Sequence, residues 1–148
     1  MCFLRVVMPD RVLVEEAPSA LQPAKLLERL PTDGCGAVVS FVGITRETEG
    51  TETVLRLEFD AWKDKLTPVL SRLGNEAIEN FGVRFVALSH RTGAVWPQEP
   101  IVAIHVASPH RKEAFEACSW LIDELKKQAP IWKKEVTTAG ETWKEGVG

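Results

Sequence analysis

The most informative segment of the chain is residues 107–135, ASPHRKEAFEACSWLIDELKKQAPIWKKE. It follows a run of β-branched residues, and its apolar side chains recur every three or four positions, which is the period of an amphipathic helix. Ser108 is a favoured N-cap residue and Pro109 suits the first helical position, whereas Pro130 cannot continue a helix. The segment therefore predicts a strand that ends near Ser108 and a helix over residues 109–128.

The apolar face of this helix leaves two lysines at its margin. Its members are Ala114, Phe115, Cys118, Leu121, Ile122 and Leu125. A free cysteine on such a face is usually a buried structural residue, so we expect no nucleophile at Cys118. Lys126 lies one turn beyond Ile122, where its ammonium either reaches water or is held against apolar walls that lower its pKa. Lys133 follows the apolar elbow at residues 130–132, which is suited to hold a second ammonium nearby.

The predicted helix start is basic. His110 and Arg111 lie beside backbone N–H groups that have no partner inside the helix, an arrangement that binds phosphate or carboxylate. Residues 109–134 carry six Lys/Arg against four acidic residues in a chain whose net charge is −3, and this local excess suits an anionic ligand. The alternative is a solvated helix start of the kind found in many folds.

Outward from this segment, strands are predicted at residues 11–16, 37–44, 54–59, 83–88 and 101–107, and the β-branched composition of 37–44 predicts a buried strand. Helices are predicted from Ser19, as N-cap, to Leu30 and over residues 64–81, with Pro68 in the first turn and Gly82 as the stop. Residues 46–53 are polar and predict a mobile loop. The order β-α-β-β-α-β-β-α with a short tail predicts a single α+β domain over residues 1–148, with helices packed on a mixed or antiparallel sheet.

Composition excludes several classes of protein. The chain has 148 residues, of which 45% are hydrophobic and 26% charged, with a pI near 5.7, so it is an ordinary globular chain and not a general nucleic-acid binder. No run reaches the roughly 18 apolar residues of a membrane span, and the N-terminus does not resemble a secretory signal, so we expect a cytoplasmic protein. Neither the cysteines (Cys2, Cys35, Cys118) nor the histidines (His90, His105, His110) have the spacing of a disulfide framework or a zinc site, and no metal is expected.

Four motifs in order resemble one family. AVVSFVGITR (37–46), SPHR (108–111), AFEAC (114–118) and PIWKKE (130–135) are similar to the large, catalytic subunit of molybdopterin synthase. The resemblance implies an α/β hammerhead-like fold, no cofactor, and a homodimer within a heterotetramer. It also implies a small ubiquitin-like sulfur-carrier subunit whose C-terminal Gly-Gly thiocarboxylate gives sulfur to cyclic pyranopterin monophosphate, forming the dithiolene of molybdopterin.

The resemblance also implies the site residues. Lys126 and Lys133 match the family's catalytic lysines, and the positions that match its substrate pocket are Phe41, Arg46, His110, Arg111 and Ile122. One departure is the segment after Arg46, which here reads Glu47-Thr48-Glu49 where family members often carry Asn and His. The departure supports an alternative function, a non-catalytic scaffold that binds a sulfur-carrier protein.

Overall fold

The computed structural model describes residues 10–144, which form three helices and nine strands. The helices are α1 (Pro23–Glu28), α2 (Lys63–Phe81) and α3 (Arg111–Gln128). The strands are β1 (Val12–Ala17), β2 (Ala37–Ile44), β3 (Thr48–Glu49), β4 (Glu52–Ala61), β5 (Phe85–Arg91), β6 (Gly93–Val95), β7 (Pro100–Ser108), β8 (Ile131–Thr137) and β9 (Gly140–Lys144). The α+β class is therefore confirmed. Cys2 and most of the N-terminal stretch that was compared with a secretory signal lie outside the described residues.

The first sheet has the strand order β1-β5-β7-β2. Strands β1 and β5 are parallel and the other pairs are antiparallel, so the sheet is mixed. Helices α2 and α3 pack on one face, and the short α1 lies against β5 and β7 on the other. Strand β2 matches its predicted bounds, but the expectation of a buried strand is wrong. As the edge strand it is half-exposed, and Val38, Val42 and Ile44 face solvent.

The second sheet is antiparallel, in the order β3-β4-β8-β9, with β6 also paired to β4. Four of its five strands, β3, β6, β8 and β9, were not predicted. Residues 46–53 include β3 and the turn at Gly50, whose φ of 61° favours glycine, so the segment is a hairpin and not an irregular loop. The expected tail contains β8, the central partner of β4, because pairing with β4 overrides the low strand propensity of its two lysines and its glutamate.

A shared core joins the two sheets. It contains the fully buried Leu66, Leu70 and Leu73 of α2 together with Leu121 of α3 and Phe59 of β4. Each such side chain contributes about 1.5–3 kcal/mol through the removal of apolar surface from water. No helix among residues 10–144 is long and apolar enough to cross a membrane.

Two helix starts differ from prediction for the same reason. A residue that precedes proline avoids the α region. Gln22 therefore stays extended (φ −118°, ψ 86°) and α1 begins at Pro23, not after Ser19. Ser108 likewise remains in β7, and α3 begins at Arg111 after His110, whose backbone is also extended.

The remaining helix, α2, fits its prediction closely. It begins at Lys63, so Pro68 falls in its second turn and not its first. Gly82 ends it as expected: it has φ 70°, and its N–H donates to the Ile78 carbonyl over 3.0 Å.

Candidate active site

Two of the predicted site residues lie near opposite ends of α3. Arg111 begins the helix and Lys126 lies in its last turn, fifteen positions later. At 1.5 Å per residue, their Cα atoms are about 22 Å apart. Helix α3 packs on β7 and β2 and runs from the Ala37 end of β2 towards its Ile44 end. One chain therefore does not bring the start of α3 together with Lys126.

Lys133 is the most constrained of these residues. It lies on β8 opposite Phe59, on the face of the second sheet that meets the core, and only 9% of its surface is exposed. Burial is the main cause that lowers the pKa of its ammonium below the ordinary value of 10.5. The nearby carboxylates of Glu135 and Glu49 oppose this shift in pKa, whereas the charge of Arg46 adds to it. Arg46 and Lys133 thus belong to one cluster.

Lys126 has a different environment. It is exposed at the end of α3, and its side chain forms no hydrogen bond or ion pair within residues 10–144. Ile122, one turn earlier, and Phe41 on β2 both pack against the edge of the core. By rise per residue, Ile122 lies about 17 Å from the start of α3 and Phe41 about 13 Å from the start of β2, so the two occupy a similar level. They supply an apolar surface on the Lys126 side of the molecule.

The helix start is exposed. His110 is the N-cap residue, and its side chain makes no capping hydrogen bond. Arg111 is the first helical residue and forms no ion pair among the described residues. The start of α3 therefore carries two exposed basic side chains, with the acidic Glu113 in the same turn, and a helix start can bind an anion through its unpaired N–H groups.

Sequence reasoning missed three charged neighbours of Lys133, namely Glu49, Glu135 and Lys144. Glu135 has the period-two spacing from Lys133 that places both side chains on one face of a strand. That signal was hidden because the segment was interpreted as a tail. Lys144 is opposite Lys133 on β9. Trp132 has the opposite orientation: it is 51% exposed and lies beside Asp60 on the outer face, so it is not a wall of the Lys133 cluster.

The other reactive side chains are held in structural roles. Cys118 is buried, and burial raises the pKa of its thiol to about 11, which confirms the structural interpretation. His90 Nδ1 bonds to the Arg91 carbonyl over 2.6 Å. His105 Nε2 donates to the Pro23 carbonyl over 2.9 Å, so its Nδ1 accepts from the Ser40 hydroxyl.

Comparison with known proteins identifies the family of the chain. The sequence pattern of the family described as "MoaE protein" matches residues 15–128. The chain is 32% identical to the molybdopterin synthase catalytic subunit of Pyrococcus abyssi over 137 residues, which covers 93% of each chain.

Solved structures agree as well. A structure of molybdopterin synthase from Staphylococcus aureus superposes with a TM-score of 0.83 and 32% identity, covering 88% of this chain and 95% of that one. A complex of subunits 1 and 2 of molybdopterin-converting factor from Helicobacter pylori superposes with a TM-score of 0.72 and 25% identity over 88% of each chain. The chain belongs to the MoaE family, the catalytic subunits of molybdopterin synthase.

Proposed function

We propose that this protein is the catalytic subunit of a molybdopterin synthase. It takes sulfur from the C-terminal thiocarboxylate of a small ubiquitin-like carrier and transfers it to cyclic pyranopterin monophosphate. The observation that supports the proposal most is the buried Lys133, whose pKa is lowered by burial and also by the nearby charge of Arg46. We assign Lys126, in the last turn of α3, to the same half of the site.

The chemistry needs cations of two kinds. The thiocarboxylate and the phosphate are both anions, so fixed ammonium and guanidinium groups attract them, and more strongly where water is excluded. Once the thiocarboxylate sulfur has bonded to the pterin, water hydrolyses the resulting thioester and the carrier tail leaves as a carboxylate. Lys133, whose pKa is lowered, is suited to take and give back the proton of that water. Lys126 would hold the tail, and Arg46 would hold the phosphate. Each product consumes two thiocarboxylates, because a dithiolene has two sulfurs.

The distance between Arg111 and Lys126 along α3 requires a second copy of the chain to complete the site. His110 and Arg111 are suited to phosphate but lie about 22 Å from Lys126 in the same chain. We infer that they serve the site of a second copy. A homodimer that places the start of α3 in one protomer beside the end of α3 in the other would join the two halves.

Strand β2 offers such a dimer contact. Within residues 10–144 its outer edge pairs with no strand, and Val38, Val42 and Ile44 are exposed on one face. An unpaired, apolar edge is a template for pairing with another strand. Antiparallel pairing of β2 with its copy would set the Ala37 end of one strand against the Ile44 end of the other. The strand spans about 23 Å, close to the separation of Arg111 and Lys126 on α3.

Mixing two inactive variants tests the shared site. Arg111→Ala removes a group from one half and Lys133→Met from the other. In a mixed dimer of the two variants, one of the two sites receives both wild-type halves, so we expect a quarter to a half of wild-type turnover. If every site used residues of a single chain, the mixed dimer would stay as inactive as its parents.

A titration with carrier protein tests the tail site. Removing the last two glycines of the carrier should weaken its binding clearly and stop turnover, because the thiocarboxylate then cannot reach Lys126 and Lys133. Full turnover with the truncated carrier would contradict the proposal. Normal carrier binding by a wild-type protein that forms no product would instead favour the scaffold alternative.

Two further points belong to the proposal. The shared core that joins both sheets supports a single domain. A cytoplasmic location agrees with the free thiols of Cys35 and Cys118, since reducing compartments keep cysteines unpaired.

A further inference from the structure

One turn next to the site has an unusual backbone. Gln98, between β6 and β7, has φ 71°, and it is the one residue other than glycine with positive φ among residues 10–144. This left-handed conformation is unfavourable for a side chain with a Cβ atom and persists only where surrounding contacts fix it. The contacts of Gln98 therefore indicate what the turn holds in place.

The backbone of the turn holds the residue before Arg46. The Gln98 N–H donates to the Thr45 carbonyl over 2.8 Å, and the Thr45 N–H donates to the Glu99 carbonyl over 3.0 Å. Thr45 is buried, with 1% of its surface exposed. These two hydrogen bonds fix the chain on the N-terminal side of Arg46.

The side chain of Gln98 holds the residue after Arg46. Its Nε2 donates to the carboxylate of Glu47. The backbone carbonyl of Glu47 accepts from the Val54 N–H over 2.9 Å, which fixes the main chain at this residue. Only the side chain of Glu47 can therefore change its hydrogen-bond partner. Arg46, between Thr45 and Glu47, forms no ion pair within the described residues.

The alternative partners of the Glu47 carboxylate are cations. Arg46 is its neighbour in sequence, and Arg46 in turn lies close enough to Lys133 to alter the pKa of that lysine. A carboxylate that moved onto Arg46 would neutralise the guanidinium and compete with an anionic ligand.

We propose that Gln98 is a positioning residue, which keeps the Glu47 carboxylate away from Arg46 and so leaves that guanidinium available to the phosphate of the substrate. The inference rests on the proposed function, because it takes Arg46 as the group that binds phosphate. It assigns a role to the acidic segment after Arg46: Glu47 is compatible with an anion site because Gln98 holds its side chain.

Steady-state kinetics of three variants test this role. Gln98→Gly removes the tether, and glycine accepts positive φ without strain, so the fold should be kept. Its KM for the cyclic pterin should rise roughly two- to five-fold, the effect of one exposed ion pair that competes with the ligand, with kcat little changed. The double variant Gln98→Gly/Glu47→Ala should return KM to the wild-type value, because no carboxylate is left to compete. Arg46→Ala should raise KM, and adding Gln98→Gly to it should have no further effect.

The outcomes separate the two proposals. A KM that Gln98→Gly leaves unchanged, or one that Glu47→Ala does not restore, would overturn the role of Gln98 while wild-type turnover still supports the enzyme. A wild-type protein without turnover, or an Arg46→Ala variant with unchanged KM, would overturn the phosphate site itself. Thermal unfolding of each variant checks that the changes in KM do not come from loss of fold.

Discussion

The burial of His90 leads to a quantitative prediction about how the free energy of unfolding changes in acid. This residue is fully buried on β5, and its ring meets Phe59 edge-on with centroids 5.3 Å apart. Burial is the main cause that lowers its pKa from 6.5 to about 4, and the charge of Arg91 adds to the shift. The folded protein therefore keeps His90 neutral at a pH where the unfolded chain already protonates it. Stability contributed by the neutral ring is present above pH 6.5 and is lost as pH falls towards 4.

The magnitude follows from the two pKa values. Linkage gives a loss of roughly 2 kcal/mol in the free energy of unfolding by pH 5 and of about 3 kcal/mol by pH 4, relative to pH 7.5. Other groups also titrate in this range, so the comparison needs a variant that lacks only this ionisation. His90→Asn is suitable, because its amide nitrogen can replace Nδ1 as the donor to the Arg91 carbonyl.

Urea unfolding of both proteins at pH 7.5, 6, 5 and 4 measures the effect. We expect His90→Asn to be less stable at pH 7.5, because it leaves a cavity, and its deficit relative to wild type to shrink by roughly 2 kcal/mol by pH 5. If the difference in free energy of unfolding between the two proteins stayed constant from pH 7.5 to pH 4, protonation of His90 could not be the cause of the acid instability.

Three further predictions concern the site and its support. Lys126→Ala and Lys133→Met should each abolish dithiolene formation while circular dichroism shows a native fold, whereas Lys127→Ala, a neighbouring exposed lysine paired with Glu124, should keep near wild-type turnover. Glu49→Gln removes a carboxylate that raises the pKa of Lys133, so Lys133 should lose its proton at lower pH. The alkaline limb of the pH–rate profile should therefore shift to lower pH. Arg91→Met should lower the free energy of unfolding in urea by about 3 kcal/mol, because the buried guanidinium donates to the carbonyls of Ala17, Pro18, Thr92 and Ala94.

The sequence was most informative where the pattern is local. The strand at residues 37–44 and the helix ending at Gly82 depend on β-branched composition, helical period and glycine conformation, all of which act over a few residues. The predicted starts of α1 and α3 were wrong because the residue before a proline avoids the α conformation. This effect is stronger here than the capping preference of Ser19 or Ser108.

Features that depend on distant parts of the chain were not predictable. Strand β8 contains charged residues that local propensity disfavours, and only its pairing with β4 stabilises it. The burial of Lys133 follows from that pairing, and so does its cluster with Glu49 and Arg46. The separation of Arg111 from Lys126 was in principle visible in the sequence, since the predicted helix already placed them about 22 Å apart.

A single-turnover assay tests the central claim most directly. The wild-type protein is mixed with cyclic pyranopterin monophosphate and a carrier that bears a C-terminal thiocarboxylate, and both dithiolene and released carboxylate carrier are measured over time. We expect one dithiolene for every two carriers converted, and no product when Lys126 and Lys133 are both replaced. Absence of dithiolene with the wild-type protein, or equal product from the double variant, would contradict the claim.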